Sequence, residues 1–348
     1  MIDRGSKAPH IYLHMGRHKT GTTTLQRFLS SNEEALSAEG FAYPKTLRKP
    51  DAHHPLAVWY NRRKRSELTP EQEASDRREI EAFRDEIRSE SKIILSSEAF
   101  QNARPNLMIE EFSGFDFTFI VYLREPLDYL LSAYAQRVKA GNTAETIEEF
   151  AARFKPDYDV FLKRWTDVFP DAKLHVRVFD RARLCGEDIR VDFLDCIGIE
   201  ADRRDAFVYP DGDANMTIGG ELLEFVRRLN LFEVDLGADY PKLYRASQSL
   251  AAHYPEYRRK PSMRKELQDE VRSRGAEMVA TISEQFFDGQ MPFSQKEFPV
   301  GDDAHRLSAD AVDQILSRLE EEDAIVAKTV AARVASIQDF AGEPSRSS

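Results

Sequence analysis

The chain is poor in cysteine: Cys185 and Cys196 are the two thiols among 348 residues. Their spacing excludes a cysteine-based metal scaffold and a dense disulfide framework, and it points to a reduced cytoplasm. Long apolar runs are missing too. No stretch approaches the ~20 residues needed to span a bilayer, and the opening "MIDRGSKAPHIYLHMG" does not resemble a secretory signal. Positive charge is in deficit, with 49 Lys and Arg against 60 Asp and Glu for a net charge of -11. That balance weighs against a general nucleic-acid binder. An anion site in such a chain has to gather its positive charge locally. What remains, 41% hydrophobic and 31% charged residues, is the composition of a folded domain and not of a disordered chain.

Four short apolar runs read as buried strands: Ile11–Met15, Ile93–Ser96, Phe117–Leu123 and Lys173–Phe179. Helix-period segments separate them. One starts near Thr22 with Leu25, Phe28 and Leu29 on one face, and another covers about Glu71–Ser89. A third opens on Pro126, which suits a first helical position, and stops near Gly141. Further helices are expected over Ile147–Phe154, Tyr158–Phe169 and Ile189–Gly198. Strands alternating with helices predict an α/β fold, a central parallel sheet covered on both faces. The character changes after about residue 200. "VYPDGDANMTIGG" is turn-rich, with Asn215 or Thr217 as the expected cap of the next helix, and the pattern from Gly220 is mostly helical. The expected organisation is an α/β core over 8–200, a helical extension packed on it over 201–340, and a frayed tail over 341–348.

Between the first strand and the first helix lies "HMGRHKTGTTTLQRFL", residues 14–29. A glycine-containing turn feeding a helix start is a ready anion site, because the first N–H groups of a helix lack intrahelical partners and the helix dipole adds positive charge there. Gly16 and Gly21 permit torsions that a side chain obstructs. Thr20, Thr22, Thr23 and Thr24 add hydroxyls, Lys19 adds a mobile charge, and Arg17 and His18 flank it. The run does not satisfy Gly-x-x-x-x-Gly-Lys-[Ser/Thr], since its lysine precedes the second glycine.

These residues resemble the 5′-phosphosulfate loop of sulfotransferases that use 3′-phosphoadenosine 5′-phosphosulfate (PAPS); "KTGTT" followed by "LQ" is similar to bacterial, carbohydrate-type members. A second stretch, "IVYLREPLDYLLSAYAQR", resembles the family's 3′-phosphate motif, in which a strand ends in Arg and a Ser follows eight residues later: here Arg124 and Ser132. Tyr134 and Gln136 match the carbohydrate-type pattern as well. Six residues of helix place Ser132 ~9 Å along its axis, a gap a long arginine bridges. The plainer alternative makes Arg124 an ion-pair partner of Glu125 or Asp128. The resemblance covers roughly the first 200 residues and implies a P-loop-like three-layer fold.

It also implies sulfuryl transfer to a hydroxyl or amine of a carbohydrate or glycoconjugate. Lys19 would stabilise the departing phosphate, the product would be 3′-phosphoadenosine 5′-phosphate, and no metal is expected, because the sulfuryl group carries less charge than a phosphoryl group. Two residues compete as base. Glu98 follows "KIILSS" at the carboxyl end of a strand, and His54, or less favourably His53, lies in "DAHHPLAVWY". An unshifted histidine titrates near 6.5 and suits base duty. The run Arg62, Arg63, Lys64 and Arg65 is a solvated helix end or the border of an acceptor site for an anionic saccharide. "SEQFFDGQMPFSQKEF" is either core packing or a cover for the site. Two other classes stay open: a Mg-dependent nucleotide phosphotransferase with an altered loop, for which Glu98 imitates the metal-binding acid, and a non-catalytic nucleotide sensor.

Overall fold

The computed structural model describes residues 8–17, 20–61, 68–210, 217–294, 296–301 and 306–342. The chain divides into two compact units. The first comprises Met1–Arg124, Asp157–Ala214 and Met278–Phe293; the second comprises Glu125–Pro156, Asn215–Glu277 and Ser294–Ser348.

Among the described residues the first unit holds four strands: β1 (His10–Met15), β2 (Lys92–Ser97), β3 (Asp116–Leu123) and β4 (Lys173–Val178). They form an all-parallel sheet in the order β2-β1-β3-β4. Each strand begins or ends within about a residue of its sequence expectation, because an apolar run buried on both faces announces a parallel strand. Side chains alternate across the pleat. On β3, Ile120 and Tyr122 face Leu25, Phe28 and Leu29 of α1 (Thr22–Ser31) and Phe193 of the helix Ile189–Cys196. Phe117 and Phe119 face the other way, against Trp165 and Phe169. The sheet therefore carries helices on both faces, the α/β layering expected.

The order of the strands positions the site. From β1 the chain moves to β2 on one side; from β2 it returns across β1 to β3 on the other. Register pairs Met15 with Ser97 and His14 with both Ser96 and Ile120. The loop after β1 therefore sits at a reversal of strand order, where open α/β sheets form a crevice beyond their carboxyl ends.

The second unit is helical. Pro126–Lys139, Gly220–Leu231, Tyr240–His253, Ala309–Glu322 and Ala324–Ala335 share one apolar cluster, with Leu130, Phe225, Leu250, Ile315 and Val330 among its members. Gly141 (φ 71°) follows the first of these helices in the left-handed region that a glycine stop requires. The helix at Gly220 is capped neither by Asn215, which lies outside the described residues, nor by Thr217: its N-cap is Gly219, with no side-chain cap. Within this unit Glu224 is buried between Arg227 and Arg228, and Arg228 also donates to the Phe340 carbonyl at 2.8 Å. The burial is tolerable because the carboxylate is paired. No described helix is long and apolar enough to cross a membrane.

Candidate functional site

The loop between β1 and α1 depends on its two glycines for different reasons. Gly21 is the N-cap of α1 at φ 71° and ψ 14°, and as a glycine it brings no capping side chain of its own. The first helical bond is Leu25 N–H to Gly21 C=O at 3.1 Å, so the N–H groups before it point out of the helix start. A Cβ on Gly21 would stand 2.7 Å from the Phe179 ring. A Cβ on Gly16 would stand 2.2 Å from Thr22 Cγ2 and 3.3 Å from Glu98 Cβ. The hydroxyls expected to face a ligand serve the loop's own frame. Thr20 Oγ1 donates to the Arg17 carbonyl at 2.7 Å, and Thr22 Oγ1 to Glu98 Oε2 at 2.6 Å. Thr23 lies half-buried in the first turn of α1. The Arg17 guanidinium is nearly buried. It donates to Asp157 Oδ1 at 2.6 Å and lies over the rings of Tyr158 and Phe161, 5.3 and 5.1 Å from their centroids. His18 and Lys19 fall outside the described residues, as does the whole basic run Arg62, Arg63, Lys64 and Arg65.

At the end of β2, Ser96, Ser97 and Glu98 each meet a different element. Ser96 Oγ bonds His14 Nδ1 at 2.8 Å, Ser97 Oγ bonds His54 Nδ1 at 2.6 Å, and Glu98 accepts from Thr22. Ser97 also accepts from the Ala99 amide at 3.0 Å. It caps the short helix that follows. His53 meets the backbone of Ser96 and not its side chain. Its Nδ1 accepts from the Ser96 amide at 3.2 Å, which leaves the Nε2 proton to donate to the Pro44 carbonyl at 3.1 Å. Burial lowers His53 to about 3, and the bond to the Pro44 carbonyl pulls the other way. Burial lowers His14 to about 4 against the opposing pull of Glu98. Both are neutral framework histidines. His54, the first residue of the helix His54–Trp59, is half-buried at the strand end.

Arg124 leaves the end of β3, with its guanidinium 5.8 Å from the centroid of the Phe179 ring. That ring is the one packed on Gly21, so the loop and the strand end meet across Phe179. The Arg124 carbonyl accepts from the buried Tyr158 hydroxyl at 2.9 Å. Ser132 lies in the second unit, buried on Pro126–Lys139. On that helix the Glu125 carboxylate accepts from the Asp128 amide at 2.7 Å and faces Arg272 at 3.9 Å, while Asp128 pairs with Lys260. The two acids suggested as partners of Arg124 thus have other cations beside them. Asp157, Tyr158 and Phe179 were not singled out in the sequence. "PDYD" reads there as an ordinary helix start and Phe179 as the end of a strand.

No family model matches the chain. A segment of 111 residues is 36% identical to an uncharacterized protein of Archaeoglobus fulgidus, covering 31% of this chain and 30% of that protein, so the match spans under a third of the relative. Among solved structures, a sulfotransferase from Alicyclobacillus acidocaldarius is similar at 16% identity and TM-score 0.35, over 69% of this chain and 100% of that one. The PezAT toxin–antitoxin system of Streptococcus pneumoniae is similar at 12% identity and TM-score 0.28, over 70% and 90%. At these scores neither structural likeness bears on activity.

Proposed function

We propose that the chain is a sulfotransferase that takes its sulfuryl group from PAPS and delivers it to a hydroxyl or amine of a carbohydrate or glycoconjugate, with the basic run Arg62, Arg63, Lys64 and Arg65 favouring an anionic one. One observation carries this reading. A helix start whose N-cap is the left-handed Gly21 and an arginine at the end of the neighbouring strand pack on the same ring, Phe179. Two cationic or N–H-rich positions flanking one crevice suit a ligand with two separated phosphates. Gly21 is required there by the loop's own packing, since a Cβ would meet the Phe179 ring at 2.7 Å.

In this reading the first-turn amides of α1, with Thr23, hold the 5′-phosphosulfate, and Arg124 holds the 3′-phosphate. The bound donor supplies an activated sulfur. The acceptor oxygen or nitrogen bonds that sulfur as its bond to the 5′-phosphate oxygen breaks, which leaves 3′-phosphoadenosine 5′-phosphate. Lys19 balances the charge gained by that oxygen, and Glu98 or His54 takes the acceptor proton. Thr22 holds the Glu98 carboxylate and Ser97 holds the His54 ring, so each candidate base has its orienting partner. The free thiols of Cys185 and Cys196 support a reducing compartment such as the cytoplasm.

A second reading has its own observation. The Thr22 hydroxyl and Glu98 carboxylate, 2.6 Å apart at a helix start, are hard oxygens of the kind that Mg²⁺ takes beside a nucleotide. That arrangement would serve a phosphotransferase. Calorimetry separates the two. Without metal, 3′-phosphoadenosine 5′-phosphate is expected to bind more tightly than ATP. Tighter ATP binding, or binding that appears only with Mg²⁺, would overturn the sulfotransferase reading.

A further inference from the structure

Asp157 stands at the N-cap of the helix Tyr158–Thr166 yet makes no capping bond. An aspartate there ordinarily accepts from the first-turn amides of its own helix. Here the carboxylate reaches instead to Arg17, 140 positions away in the chain, at 2.6 Å. Arg17 belongs to the anion-binding loop, but its side chain is only 8% exposed. The next residue, Tyr158, is fully buried. Its ring lies under the Arg17 guanidinium, and its hydroxyl holds the Arg124 carbonyl at 2.9 Å. One dipeptide therefore grips the loop after β1 with one side chain and the end of β3 with the other. The rigid Tyr158 ring touches both.

From this juxtaposition we infer that Asp157 and Tyr158 are positioning residues: they fix the spacing between the Gly16–Thr24 loop and Arg124, and so the spacing of the two phosphate subsites. Arg17 is the loop's anchor in this brace and not a ligand-facing cation. The inference rests on the proposed donor for its functional part, but the mechanical part stands on the contacts alone. A donor bound at two ends gains from a preset separation, because less ordering remains to be done on binding.

The test uses the full chain. Tyr158→Phe keeps the ring and removes the hydroxyl; Asp157→Asn removes the charge; Asp157→Glu restores it. Hydrogen exchange of the ligand-free protein is followed in peptides covering residues 14–25 and 120–126. Breaking either contact is expected to speed exchange in both peptides while β2 and β4 are unchanged, and Asp157→Glu is expected to restore protection. Affinity for 3′-phosphoadenosine 5′-phosphate should fall about tenfold in Tyr158→Phe and Asp157→Asn, the equivalent of ~1.4 kcal/mol. Adenosine 5′-phosphate, which lacks the second phosphate, should lose less. In turnover, KM for the donor should rise with kcat nearly constant. Faster exchange confined to the peptide nearest each substitution would overturn the brace. Coupled exchange in a protein that binds no 3′-phosphorylated nucleotide would uphold the brace and overturn the donor assignment.

Discussion

At the scale of single residues, the chemistry of the loop is decided by what is absent at Gly21. The residue holds φ 71° at the start of α1 with Phe179 against its α-carbon. An alanine there faces two penalties at once. The left-handed torsion costs on the order of 1 kcal/mol for a residue bearing a Cβ, and the methyl group would press on a ring 2.7 Å away. Gly21→Ala is therefore expected to destabilise the protein by ~1–3 kcal/mol in urea unfolding and to abolish nucleotide binding in calorimetry. Retained affinity would mean that the helix start is not the anion site. Glycine's role was readable from the sequence, since the spacing Gly16-x-x-x-x-Gly21 before an amphipathic helix calls for it. The fates of the Thr20 and Thr22 hydroxyls were not. Each donates to a protein acceptor that only the folded loop and the β2 end supply.

Among the elements, the end of β2 gathers the most chemistry. Ser97 and Glu98 are consecutive, and each steadies one candidate base or is one. Glu98→Gln keeps an acceptor for Thr22 and deletes the carboxylate, whereas His54→Ala deletes the ring that Ser97 holds. If one of the two takes the acceptor proton, the substitutions should lower kcat unequally, by about 10²–10⁴-fold for the base and far less for the other, with nucleotide affinity retained. Full activity in both variants would remove both from the mechanism. The strands themselves were legible because a run such as "FTFIVYL" buries alternate side chains on two faces. The pairing that brings Ser97 beside Met15 was not, because register between parallel strands is set by helices packing far along the chain.

For the molecule as a whole, two neutral histidines tie stability to pH. His14 and His53 are lowered to about 4 and about 3 in the fold, against ~6.5 in an unfolded chain. Between these values the unfolded chain binds more protons than the folded one. Stability is therefore complete above about pH 6.5 and falls as pH drops toward 4, by up to ~1.4 kcal/mol per pH unit for each histidine. Urea midpoints should follow this course, and His53→Gln, which preserves a donor and an acceptor, should flatten it. A midpoint independent of pH over that window would show that these rings are not buried neutral. The sequence by itself determined the strands, the principal helices and a glycine loop suited to an anion, because periodicity, glycine and helix-start chemistry are local. Only the tertiary structure decided that the units interleave along the chain and that Asp157 grips Arg17. It also decided that Tyr158 holds Arg124 and that Phe179 joins loop to strand end. Those contacts join residues far apart in sequence, and each partner, read locally, has an ordinary role.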